Sequence, residues 1–195
     1  MARARFQLAK ARLERFLAVA SPGGLDFSTR RQRSERYLLA YLHDKGRQLE
    51  EARALYSEVI TRRSPHWAIA AAARVGQLFQ HFADALYTAP IPTPPIPRQL
   101  TSPAARREFL ATFGEQYCTE LEAYAVKLED KAVKALDACL TKATDLSWYN
   151  EWSRLCEREL DQLQPGRSPM AAEIRAAPGY VRGRAARARL IGELR

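Results

Sequence analysis

Apolar residues recur along most of the chain at spacings of three and four, the period of helices that bury one face. The pattern is densest between Arg36 and Tyr87, where it is interrupted only at Asp44–Gly46 and at 63–65. Breaks this short make consecutive helices antiparallel neighbours. The sequence therefore predicts an all-α protein of stacked antiparallel helical hairpins.

Seven helices are expected from this pattern, and Ser64-Pro65 and Ser102-Pro103 are typical helix starts. A subtle break near 126–130 separates the fifth helix from the sixth. The fourth helix, 65–87, is rich in small residues, which lets its neighbours approach closely. The predicted ranges of the others are about 4–19, 29–43, 47–62 and 148–163, with the fifth beginning at 103.

The segment Ala89–Pro97 contains five prolines and cannot be helical, so we expect an extended strap. Two interpretations stay open. The strap is either a stiff connector with Ile91 and Ile96 against the surface, or a PxxP ligand for an aromatic groove in another protein. The predicted division of the chain is 1–88, helical hairpins; 89–102, Pro-rich linker; 103–164, helical hairpins; 165–195, strap and basic tail.

At 195 residues and 47% hydrophobic composition the chain can bury a core, and its formal net charge is +9. Positive charge concentrates at the two ends, which is typical either of solubilising charge or of attachment to nucleic acid, an anionic membrane or an acidic partner. No base-reading motif accompanies it. The arginines concerned are Arg30, Arg31, Arg33, Arg36, Arg182, Arg184, Arg187 and Arg189.

The three cysteines, Cys118, Cys139 and Cys156, are odd in number and widely spaced. Without a C-x-x-C pair, the sequence predicts neither a zinc site nor a disulfide framework, and buried small side chains explain them best. The first helix is amphipathic rather than a signal core, and no apolar run approaches the ~20 residues of a membrane span. As written, the chain is expected to stay where it is made.

Catalytic motifs are absent from the sequence. His43, His66 and His81 belong to no recognised nucleophile or H-E-x-x-H arrangement, and the Gly23-Gly24 pair lacks the downstream residues of a phosphate loop. We therefore expect no catalytic residue, no cofactor and no metal site, and a protein that is not an enzyme.

Two segments resemble tetratricopeptide (TPR) repeats, whose second helix places small residues around one bulky residue. The TPR motif's first-helix Trp and Gly are missing from both. The matching residues are Ala52, Tyr56 and Val59, and then Ala132, Leu136 and Cys139. The resemblance implies a TPR-like α-solenoid with the Pro-rich strap between two halves.

A more particular resemblance covers about residues 30–175. It is to TPR proteins of the bacterial cell envelope, some of them linked to gliding motility, and it implies a non-catalytic scaffold that is usually exported. An envelope location would require an N-terminus longer than the one written. The segments that carry the resemblance are 67–78, 82–86, 89–92, 128–132, 149–152 and the late Pro169 to Glu173.

The leading hypothesis is thus a TPR-like scaffold that binds another protein through the concave surface of its hairpins or through the strap. The alternative is an electrostatic binder of nucleic acid or anionic membrane. For Arg74 and Gln77, support of the fold is an equal interpretation. The residues predicted to contact a protein partner are Tyr41, Arg74, Gln77, His81 and Asn150.

Overall fold

The computed structural model describes residues 1–62 and 64–166, and this part of the chain is all-helical, as predicted. Consecutive helices pack as antiparallel neighbours. The only strand-type pairing in the described residues is an isolated bridge between Asp26 and Thr93. The five helices are α1 (Ala2–Ala18), α2 (Arg31–Ile60), α3 (Pro65–Tyr87), α4 (Pro103–Asp145) and α5 (Glu151–Leu163).

Two predicted helix breaks are wrong. Residues 44–46 lie inside α2 and residues 126–130 lie inside α4, so seven expected helices are five. At the first position Lys45 is buried against the end of α1, and this tertiary contact outweighs the low helix propensity of Gly46. At the second, the helix continues because Leu128 packs against the core, while Lys127, Asp130 and Lys131 are exposed.

Helix α3 is the centre of the molecule. It packs against each of the other four helices, α1 and α2 on one side and α4 and α5 on the other. Most of its length is buried on every side, which is typical of a central helix. Helices α2, α3 and α4 form one layer, and α1 and α5 lie over it, where Phe6 of α1 contacts Trp152 of α5 with ring centroids 5.9 Å apart.

Helices α3 and α4 approach each other closely, and the small residues of α3 predict a close approach of its neighbours. Ala72 and Ala73 of α3 are buried in one cluster with Leu136 and Cys139 of α4. A methyl group placed on Gly76 would lie 2.6 Å from both Cγ and Cδ2 of Leu136. The two backbones approach because this position carries no side chain.

A disulfide joins α4 to α5, which corrects the interpretation of the cysteines. The sulfur atoms of Cys139 and Cys156 are 2.11 Å apart, and their Cα atoms are 6.5 Å apart. Both residues are buried, as expected, but as a covalent link rather than as separate thiols. Cys118 is a free thiol on the exposed surface of α4, so its predicted burial is wrong.

The Pro-rich strap is held against the connector between α1 and α2. The amide of Phe27 donates to the carbonyl of Thr93 at 2.8 Å, and the amide of Thr93 donates to the carbonyl of Leu25 at 2.9 Å. Pro92 and Pro94 are buried, whereas Ile91 and Ile96 are 54% and 42% exposed. Two of the five prolines thus face inward. Ile91 lies on α4, as the connector interpretation expects, since its Cδ1 is 3.5 Å from a methyl group placed on Gly114, but it and Ile96 stay about half exposed. The remainder of the expected C-terminal strap and basic tail, 167–195, lies outside the described residues.

Candidate partner-binding surfaces

Three of the five predicted contact residues line one cleft, on the side of α3 that faces α1 and α5. This polar cleft has a volume of about 280 Å³. Apolar side chains of α1 form one wall, and polar side chains of α3 and α5 form the rest. Its lining residues are Leu13, Leu17, Arg74, Gln77, Gln80, His81, Asp84 and Glu159.

Arg74 and Gln77 connect α3 to α5. Nη1 of Arg74 donates to Oε1 of Gln77 at 2.7 Å, and Nε2 of Gln77 donates to Oε1 of Glu159 at 3.5 Å. The guanidinium of Arg74 also lies over the ring of Trp152, with its Cζ 4.9 Å from the centroid. These contacts are with the helices themselves and not with the strap, and they favour the fold-supporting role of the two residues.

His81 lies deeper, with its ring edge-on to Phe16 at a centroid distance of 5.4 Å. Burial and the nearby charge of Lys45 lower the pKa of His81. Burial and the carboxylate of Glu159 raise the pKa of Asp84. Nδ1 of His81 and Nε of Arg74 are both buried without a hydrogen-bond partner in the described structure. The cleft therefore combines a histidine biased to the neutral form with an aspartate whose ionisation is disfavoured.

The other two predicted contact residues, Tyr41 and Asn150, are not fully exposed at the surface. Tyr41 is only 8% exposed, and burial raises the pKa of its hydroxyl, so the expectation of an exposed tyrosine is wrong. Asn150 is the N-cap of α5: its Oδ1 accepts hydrogen bonds from the amides of Trp152 and Ser153. The Asn-x-x-Ser spacing of this capping box is a sequence signal for the N-cap role of Asn150.

Lys45 is a feature that no sequence pattern indicated. It is almost completely buried, and its Nζ donates to the carbonyls of Phe16 at 2.8 Å and Val19 at 2.9 Å. A cation at this position satisfies carbonyls at the C-terminal end of α1, where the helix dipole is negative. Burial lowers the pKa of Lys45 to about 8. This lysine ties α1 onto α2.

An apolar groove runs along the opposite side of α3, between α2 and α4. Its floor is formed by Phe79 and Phe82 of α3, and its volume is about 460 Å³. Helices α2 and α4 run in parallel here and are separated by α3, so their facing sides remain open. The groove is lined by Leu42, His43, Gly46, Arg47, Leu49, Glu50, Phe79, Phe82, Leu128 and Lys131.

The same two helices enclose a second cavity, of about 270 Å³, nearer to their N-termini. Between the two cavities, Leu39 of α2 is 65% exposed and Tyr124 of α4 is 63% exposed. Each lies three or four residues from lining residues on its own helix and so on the same side. We call the two cavities, with these two side chains between them, the α2–α4 groove. The second cavity is lined by Phe27, Arg31, Glu35, Pro95, Phe109, Phe113, Gln116, Tyr117 and Glu120.

Two lysines lie on the α4 edge of this groove on the C-terminal side of Tyr124, whereas Glu120 lines the same edge on its N-terminal side. Nζ of Lys127 lies 5.6 Å from the centroid of the Tyr124 ring, and Nζ of Lys131 lies 5.6 Å from that of Phe79. Neither lysine forms an ion pair with a carboxylate in the described part of the chain. On the α2 edge, by contrast, Arg47 is paired with Asp44 and Glu51.

Compared with known proteins, the chain matches no family model, no curated protein and no solved structure. The TPR-like resemblance and the protein-binding roles of the five residues therefore stay predictions. Among residues 1–62 and 64–166, no group of three or more His, Cys, Asp and Glu side chains is arranged to hold a metal ion. No helix in the same residues is long and apolar enough to cross a bilayer.

Proposed function

We propose that the protein is a non-catalytic helical scaffold that binds another protein by accepting an amphipathic helix in the α2–α4 groove. The observation that carries this proposal is the open apolar groove over Phe79 and Phe82, with Leu39 and Tyr124 exposed on its walls. Large apolar side chains that line a concave surface are typical of sites that receive the apolar face of a partner helix.

The length of the groove suits a helical partner. From Arg31 to Glu50 it follows α2 for about 28 Å, at 1.5 Å per residue, which corresponds to a partner helix of about five turns. The partner helix would rest on α3 and contact both flanking helices. Its apolar residues are expected at spacings of three and four, the spacing that matches the walls.

The charge of the groove specifies the partner further. Because Lys127 and Lys131 lack carboxylate partners in the described chain, we propose that the bound helix carries acidic side chains along the edge that faces α4. Complementary charges at the rim of an interface orient the partner and speed association more than they add affinity.

We further propose that the scaffold is TPR-like and belongs to an assembly of the bacterial envelope, as the sequence resemblance implies. The antiparallel pairs α2/α3 and α4/α5 are the hairpins in this proposal, and the matching residues of 52–59 and 132–139 lie in their first helices rather than in their second. The Cys139–Cys156 disulfide supports an oxidising compartment, because such bonds persist there and are rare where thiols are kept reduced.

Site-specific photo-crosslinking tests the groove. A benzoylphenylalanine in place of Tyr124 is expected to crosslink a partner in the cells that produce the protein, and the same group in place of Leu8, an exposed residue of α1, is the control. The crosslinked peptide should belong to an amphipathic segment with an acidic edge. That segment, synthesised as a peptide, should bind the purified protein. Its affinity for the Leu39→Glu variant should be about tenfold or more lower.

Three outcomes would contradict the proposal. They are equal crosslinking from positions 124 and 8, a crosslinked segment without an apolar helical face, and unchanged peptide binding by Leu39→Glu. Because Leu39 is exposed, its substitution should leave the free energy of unfolding nearly unchanged, which a urea titration checks.

A further inference from the structure

The strap crosses α4 near its N-terminus. Its Pro95 lines the α2–α4 groove, but other residues of the strap and of α4 lie outside that lining and form a second surface. A methyl group placed on Gly114 would lie 3.5 Å from Cδ1 of Ile91, so the strap lies on the Gly114 side of α4. Leu110 and Arg107 precede Gly114 by four and seven residues and therefore share this side. We call this surface the strap face. It comprises Ile91, Ile96, Arg98, Arg106, Arg107 and Leu110.

Three aliphatic side chains of the strap face are partly exposed to solvent, including Ile91, whose Cδ1 also lies against α4. Ile91, Ile96 and Leu110 are each more than two-fifths exposed, while Pro92 and Pro94 are buried beneath them. The strap is fixed by its prolines and by the hydrogen bonds of Thr93 to the α1–α2 connector. The isoleucines are thus presented on a rigid support, and their insertion into another phase would cost little backbone entropy.

Arginines surround these aliphatic side chains. Nε of Arg106 donates to the carbonyl of Leu100 at 2.7 Å, which fixes its guanidinium beside the strap. In the part of the chain that the structure describes, Arg98, Arg106 and Arg107 form no ion pair with a carboxylate. Relative to Gly114, Glu108 is rotated about 120° around α4, whereas Arg107 is rotated about 20° and Arg106 about 80° in the opposite direction.

We infer that the strap face is a contact surface for an anionic lipid bilayer. Aliphatic side chains fit the boundary between headgroups and acyl chains, and guanidinium groups fit the phosphates just above it. Nucleic acid would instead favour aromatic rings or polar base readers among the arginines, and the outward apolar side chains of this face are aliphatic. The inference uses none of the groove residues, so it stands or fails independently of the proposed partner.

Vesicle sedimentation tests the inference with the full chain. The protein is expected to pellet with phosphatidylcholine vesicles that contain about a third phosphatidylglycerol, and not with phosphatidylcholine alone. Because the attraction is largely electrostatic, binding should fall as NaCl is raised from about 0.05 to about 0.5 M.

Two pairs of matched variants locate the contact. Arg106→Gln with Arg107→Gln should weaken vesicle binding about 20-fold, while Arg154→Gln with Arg158→Gln removes the same charge from exposed positions of α5 and should change it about twofold or less. Ile91→Ser with Ile96→Ser should weaken binding about tenfold. Leu8→Ser with Val126→Ser, also exposed, should leave it nearly unchanged.

Circular dichroism and thermal unfolding verify that every variant folds. The inference is overturned if the protein binds phosphatidylcholine alone equally well, or if each control pair loses as much binding as its matched pair. Tighter binding to a short DNA duplex than to the anionic vesicles would also overturn it and would indicate nucleic acid as the ligand.

Discussion

A short outer helix lies on each side of α3, and the two outer helices are held by different kinds of contact. On the N-terminal side, α1 is tied to α2 by the buried amine of Lys45 and by ion pairs of Arg12 with Glu51 and of Arg5 with Glu58. On the C-terminal side, α5 is tied to α4 by the Cys139–Cys156 disulfide. No ion pair joins α4 to α5 in the described residues.

Equivalent positions in one fold can thus respond to different conditions. Charged contacts depend on pH and ionic strength, whereas a covalent bond responds to the redox state of the solution. The pair α1/α2 should therefore be sensitive to pH and salt, and the pair α4/α5 to reductant.

The largest expected effect is loss of the disulfide. Cys139→Ala with Cys156→Ala should lower the free energy of unfolding by about 3 kcal/mol, because the bond closes a loop with a sequence separation of 17 residues. Urea unfolding under non-reducing conditions measures the change. Cys118→Ala, at the exposed free thiol, is the control and should have little effect. A double variant as stable as the unmodified protein would show that packing alone holds α5.

Alanine substitutions at Gly76 in α3 and at Gly46 in α2 should change the free energy of unfolding in opposite directions. Gly76→Ala is expected to lower the free energy of unfolding by about 1–2 kcal/mol, because the new methyl group overlaps the buried side chain of Leu136. Gly46→Ala, in α2, meets no atom within 4 Å and should raise it by about 0.5–1 kcal/mol through helix propensity. Thermal unfolding of the two variants measures both changes. A Gly76→Ala variant more stable than the unmodified protein would contradict the close crossing of α3 and α4.

Lys45 should make the N-terminal side pH-dependent. Its pKa is lowered to about 8 in the folded state from an ordinary 10.5, so the unfolded chain binds more protons between these values. Stability therefore rises with pH through this window, and below pH 8 the full cost of the buried charge is present.

The free energy of unfolding of the unmodified protein minus that of the Lys45→Met variant should increase by about 1–2 kcal/mol between about pH 8 and 9.5. Urea titrations of both proteins across this range measure it. The comparison with Lys45→Met removes the contributions of other titrating groups, and a flat difference would show that Lys45 keeps its ordinary pKa.

The smallest expected effect concerns the surface ion pairs of α1. A double-mutant cycle of Arg12→Gln and Glu51→Gln should give a coupling of about 0.5 kcal/mol that declines in high salt, since both side chains are partly exposed. Urea titrations of the four proteins at low and high NaCl provide the measurement. A coupling that stays constant with salt would contradict the ionic nature of this contact.

The helical class, the ends of α3 and the small-residue crossing could be predicted from apolar spacing. The continuity of α2 and α4 could not, because it depends on neighbours distant in the chain. Gly46 remains helical because the adjacent Lys45 is fixed to carbonyls of α1, 26 or more residues away. Local propensity is a weak guide where tertiary contacts decide.

The candidate surfaces were less predictable than the fold. Arg74, Gln77 and His81 do lie together, since they follow helical spacing on α3. The α2–α4 groove, however, depends on two helices separated by more than 40 residues, and their parallel arrangement follows only from the packing around α3. The pairing of Cys139 with Cys156 likewise requires the antiparallel crossing of α4 and α5, which cysteine spacing alone does not reveal.

The central position of α3 should make the unfolding of the described helices cooperative. Detaching either pair of flanking helices would expose the same buried helix to water, so neither side retains a complete core after the other has left. Melting should thus proceed as one all-or-none calorimetric event, with matching van't Hoff and calorimetric enthalpies.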